Sequence, residues 1–170
     1  GILTFLLLFG AVVLTITTSY AYFLSKMSIK NSDNAKSNFT TANITATYSD
    51  GNAINLTNAI PNTTSKVKTI KFSNTGNVDL AYKINWKTIT NTGITGLKYT
   101  ISCTDTNTTG TGTNLDMPSS PTTLISGTLK PNTANTCELQ ITYTDTGIDQ
   151  TGEMGKTFTA SLEAVAAVKE

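Results

Sequence analysis

Two hydrophobic patterns divide the chain. From Gly1 to Leu24 ("GILTFLLLFGAVVLTITTSYAYFL") apolar residues fall on nearly every face of a helix, and the first charge is Lys26. From about residue 39 onward, short runs alternate apolar and polar residues with a period of two, separated by Gly-, Asn- and Pro-containing turns. A helix apolar all round must be surrounded by lipid or by other protein, whereas a period of two marks strands with one buried face.

The first pattern predicts a helix over 1–30. At about 1.5 Å per residue, its 24-residue apolar part would reach about 36 Å, enough to cross a hydrocarbon core of roughly 30 Å. Leu3, Phe5, Leu6, Phe9, Gly10, Val12, Val13 and Ile16 are its candidate assembly surface. Within it, Gly10, Ala11 and Thr15 are small enough to let neighbouring helices approach. Ser19-Tyr20-Ala21 also satisfies the small-residue rule of a signal-peptide cut, which would leave a chain starting at Tyr22. Retention of the segment is the expectation; removal after Ala21 is the alternative. The helix should fade across 28–36, where Asn, Ser and Asp favour turns.

The second pattern predicts strands at 39–48, 53–57, 66–74, 80–86, 97–103, 122–129, 137–143 and 156–168. Leu80, Tyr82, Ile84 and Trp86 share one face, as do Leu97, Tyr99, Ile101 and Cys103, and Ile70 with Phe72. The Thr/Gly stretch over roughly 104–121 reads as a mobile surface loop. The fold class is therefore mainly β: an N-terminal apolar helix, then a single antiparallel β-sandwich head of about eight strands over 31–170. Its expected core includes Trp86, Tyr82, Tyr99, Leu139, Ile141 and Phe158.

The same alternation turns both cysteines inward. Cys103 ends one inward set and Cys137 begins another, with Leu139, Ile141 and Tyr143. Antiparallel neighbours bring such ends together, so a Cys103–Cys137 disulfide is expected, with two buried free thiols as the alternative.

Composition narrows the chemistry. The formal net charge is +1 with no basic run, so nucleic acid is not an expected partner. Only 14% of residues are charged, and Thr, Ser and Asn dominate the polar positions, a balance that suits an exported β-rich surface protein. The absence of histidine removes the commonest general base and metal ligand. No nucleotide-binding or metalloprotease motif occurs, so no enzyme activity, cofactor or metal is expected. Asp145, Asp149 and Glu153 lie close in sequence and could gather around calcium, but their spacing is not that of an EF-hand, and a polar interstrand loop is the expectation. Candidate glycan acceptors stand in N-x-S/T sequons at Asn38, Asn43, Asn55, Asn62 and Asn107, a number that this Asn- and Thr-rich composition yields by chance.

Tyr20-Ala21-Tyr22-Phe23 at the end of the apolar segment, Ile60-Pro61 and Asn74-Thr75-Gly76-Asn77 together resemble the camelysin/TasA-like family of bacterial surface and biofilm-fibre proteins. The first of these fits the boundary between that family's apolar segment and its sandwich. Ile60-Pro61 fits its Pro-containing turn, and Asn74-Thr75-Gly76-Asn77 its Asn-x-Gly-Asn-like turn, so the similarity spans roughly residues 1–90. The metallopeptidase activity ascribed to some members is not carried over, because a chain without histidine lacks the usual zinc ligands. In plan, an apolar helix leading into a β head also resembles a type IV pilin of the archaeal kind. Bacterial type IV pilins carry Glu at the fifth mature position; here that residue is Phe5, and the first acidic residue is Asp33.

Both resemblances imply an extracellular, cell-surface filament built from copies of this chain, with the subunit in the membrane before assembly. In the pilin-like plan the helices pack in the fibre core. In the TasA-like plan, cleavage after Ala21 frees a strand that joins a neighbour's sheet. A membrane-anchored monomeric adhesin or binding domain is the third reading.

Overall fold

The computed structural model describes residues 36–40 and 44–169, with side chains from residue 44. The expected helix over 1–30, the Ala21 boundary and Asn43 lie outside these residues.

Ten strands form in chain order: β1 (Lys36–Thr40), β2 (Thr45–Asp50), β3 (Ile54–Thr57), β4 (Lys68–Asn74), β5 (Leu80–Asn91), β6 (Leu97–Cys103), β7 (Gly112–Asp116), β8 (Thr123–Leu129), β9 (Thr133–Tyr143) and β10 (Thr157–Val168). They make two sheets, β1-β2-β4-β9-β6-β7 and β3-β10-β5-β8, in which every pairing is antiparallel. The expected mainly β architecture with two antiparallel sheets is what forms.

One core lies between the sheets. From the six-stranded sheet come Tyr48, Ile70, Phe72, Ile101, Leu139 and Ile141; from the other come Leu80, Tyr82, Ile84, Trp86, Ile125, Phe158 and Leu162. Phe72 and Tyr82 stack across the sandwich with ring centroids 5.0 Å apart. Each large side chain taken fully from water contributes about 1.5–3 kcal/mol, so a dozen such groups give the head its own core.

The structure departs from the sequence expectation at five places, the first being that β9 begins at Thr133, four residues ahead of the strand expected over 137–143. The single strand expected over 39–48 is two strands, because Thr40 pairs with Thr45 and the chain reverses between them. The loop expected over 104–121 contains β7, an edge strand in which only Leu115 and Gly112 are even half-buried, so one short strand offers no alternation to detect. β5 runs on past Trp86 to Asn91 through Thr- and Asn-rich positions that are mostly exposed. Tyr99 is half-buried, not enclosed: it packs edge-on against Trp86, ring centroids 5.6 Å apart, on a strand that lies between β9 and the short edge strand β7.

Turns follow their side chains. The Asn74 carboxamide oxygen accepts the Gly76 N–H at 3.0 Å, and its amide donates to the Val78 and Leu129 carbonyls at 2.7 and 3.1 Å. Asn91 likewise accepts from the Gly93 and Ile94 N–H groups at 3.0 and 2.8 Å, turning the chain from β5 toward β6. Gly110, at φ 98°, lies so close to the β8 backbone that a Cβ would stand 2.3 Å from the Leu124 carbonyl oxygen. That position accepts only glycine.

Candidate functional site

The cysteines stand in register, Cys103 opposite Cys137 on β6 and β9, and are disulfide-bonded. The bridge closes the excursion through β7 and β8, where the sequence places its longest Thr/Gly stretch.

That excursion is also held from inside by Asn135, which sequence reading did not single out. Its amide donates to the Tyr82 hydroxyl at 2.6 Å and to the Thr108 hydroxyl at 2.8 Å. Its oxygen accepts the Asp105 N–H at 2.9 Å and the Thr104 hydroxyl at 3.0 Å. Thr109 then pairs with Ser126 of β8 through two backbone hydrogen bonds. The segment expected to be mobile is therefore bound to the sandwich at Thr104, Asp105, Thr108 and Thr109. The parity of β9 carried the clue: Asn135 shares the inward face of Cys137, Leu139 and Ile141.

These anchors build one wall of a groove of about 960 Å³ at one end of the sandwich. Its floor is the outer face of the four-stranded sheet, where Ala81 pairs with Ala167 and Lys83 with Val165 on β5 and β10, and Ser126 and Thr128 continue across β8. Asp105, Asn107 and Thr109 stand on one side, Lys130 and Lys169 on another. Lys130 is paired with Asp79 at 2.6 Å.

At the opposite end, Asp145 and Asp149 are spent on their own segment, and Glu153 on Thr95 and Tyr143. Asp145 accepts the Gly147 N–H at 2.8 Å and Asp149 the Thr151 N–H at 2.9 Å. Glu153 accepts the Thr95 N–H at 2.9 Å, the Thr95 hydroxyl, and the Tyr143 hydroxyl at 2.7 Å. The Thr95 and Tyr143 bonds hold its carboxyl below the usual carboxylate range. Burial first, then the Glu153 bond, pushes the Tyr143 phenol up to about 12. Among the described residues no group of three or more His, Cys, Asp or Glu stands together to hold a metal ion.

The sheet edges matter for any partner that adds a strand. The six-stranded sheet ends at β1 and β7. In the other sheet, β3 covers only Thr157–Ala160 of twelve-residue β10, while β5 covers it from Phe158 to Val168. Asn55, Asn62 and Asn107 are exposed, and Asn38 lies on β1.

No protein-family model matches the chain, and no curated protein matches it. Among the described residues no helix is long and apolar enough to cross a membrane.

Proposed function

We propose that this chain is the structural subunit of an extracellular surface filament, assembled through the N-terminal apolar helix with the β-sandwich heads outward. The observation that carries this is a sequence apolar on nearly every face over 1–24 joined to a head with a closed core and a disulfide of its own. The head has a core of its own, and in this reading the apolar segment makes its contacts with lipid first, then with its own copies. Hydrophobicity discriminates little between those two surroundings, and close packing at Gly10, Ala11 and Thr15 decides.

Val12→Lys in the full chain tests this. A charge at the centre of the segment costs about 2.5–3.5 kcal/mol on insertion scales, and each subunit repeats it along the fibre. Filaments should be lost while the head, released by limited proteolysis, keeps its melting temperature. Filaments of normal length and yield from Val12→Lys would sink the proposal.

A second reading, strand exchange after cleavage at Ala21, is favoured by one observation: β3 flanks only the first four residues of β10. A free strand from a neighbour would continue that flank. N-terminal sequencing of filament subunits separates the two, since chains beginning at Tyr22 belong only to strand exchange.

A further inference from the structure

The head has two unlike ends. β9 runs eleven residues from Thr133 to Tyr143, about 36 Å at roughly 3.3 Å per residue, and its ends mark the two poles. At the Tyr143 pole stands a knob. Ile148 is 72% exposed and Met154 71%, on the segment that carries Asp145 and Asp149. Ile60, 63% exposed, belongs to the same pole, since Asn62 donates to the Tyr143 carbonyl. Large apolar side chains this exposed, crowded at one end, mark a contact surface.

The Thr133 pole carries the groove described above. Ala81, Val165 and Ala167 form an apolar part of its floor, and its volume of about 960 Å³ is ample for the Ile148 and Met154 side chains together. Charge matches as well as shape. With Lys130 held by Asp79, Lys83 and Lys169 face the groove without a carboxylate partner among the described residues, against Asp105 on the far wall. At the knob, Asp145 accepts the Gly147 N–H and Asp149 bonds to Thr151, both within their own segment, and neither is in an ion pair among the described residues.

Resting on the filament reading, we propose that the occupant of the groove is a second copy of this chain: the Ile148/Met154 knob of one head seats on the Ala81/Val165/Ala167 floor of the next, with Asp145 and Asp149 facing Lys83 and Lys169. Because knob and groove lie at opposite poles of one head, the contact is head-to-tail and not isologous, and between copies already held along a filament it propagates a row of heads. Two side chains seated on a floor of three small residues do not by themselves bury the roughly 1,200–2,000 Å² of a stable pair. It therefore works only where the apolar segments already hold copies side by side, as a second joint that fixes the spacing of heads.

Full-chain Ile148→Cys and Ala167→Cys, both at half-exposed or exposed positions, are doped separately and together into excess wild-type subunits and oxidised after assembly. The expected result is a covalent dimer that requires both variants, reduced by at least tenfold when Lys83→Glu is placed on the Ala167→Cys chain. Wild-type filaments that take up both variants and yield no such dimer overturn the pole-to-pole contact while leaving the filament reading intact. Absence of wild-type filaments under electron microscopy overturns both.

Discussion

Asn135→Ala is the substitution whose cost the geometry fixes most closely. It removes the amide that donates to the Tyr82 and Thr108 hydroxyls and the oxygen that accepts from Asp105 and Thr104. Tyr82 and Thr108 are both buried, and a buried polar group stranded without its partner costs about 1–3 kcal/mol. Two such groups, with the Asp105 N–H partly exposed to water, set the expected loss at about 4 kcal/mol. Tyr82→Phe removes one member and leaves Asn135 bonded to Thr108, so it should cost about 1 kcal/mol, and the double variant should fall short of the sum by a similar amount. Chemical denaturation of the full chain in detergent reads all three, with Trp86, the single and fully buried tryptophan, as the fluorescent reporter. Hydrogen exchange at 104–110 should accelerate in Asn135→Ala. A loss below about 1 kcal/mol, with exchange in that segment unchanged, would refute the claim that this side chain holds the excursion to the core.

Other consequences are open to direct measurement. Replacing both cysteines with alanine frees a closure of sequence separation 34, and denaturant midpoints should report a loss of about 3.5–4 kcal/mol. Lys68→Met should cost about 3–5 kcal/mol, because it leaves the Asp50 carboxylate, its buried partner at 3.0 Å, without a counter-charge; adding Asp50→Leu should recover most of that loss. Glu153, held below the ordinary carboxylate range, contributes stability above that range and loses it as pH falls through its folded value, so a pH series of melting temperatures should be flatter on the acid side in Glu153→Gln. Tyr143 has the opposite sign: held up to about 12, it stabilises below the ordinary phenol range, and stability should fall as pH rises from about 10, less so in Tyr143→Phe.

The sequence made the strands legible wherever both faces differed. Leu80, Tyr82, Ile84 and Trp86 alternate with Ala81, Lys83 and Asn85, and each is buried as that alternation requires. Cys103 and Cys137 were legible for the same reason, since parity aimed both inward and antiparallel pairing brought them together. The rest was hidden by polar residues doing inward work. Lys68 and Asp50 share the face of Ile70 and Tyr48, yet a pattern read as apolar against polar assigns charged residues to solvent. Asn135 is hidden likewise. β7 was missed because an edge strand with no buried residue has no alternation to show. The groove could not be foreseen at all, since its floor comes from β5, β8 and β10 and its wall from 105–109, which only the register unites.

A cryo-electron-microscopy reconstruction of filaments grown from the full chain tests the central claim most directly. The account predicts an axial bundle of helices over 1–24, with β-sandwich heads around it. A filament without a helical axis, in which a strand beginning near Tyr22 lies alongside β10 of the neighbouring subunit, would contradict it.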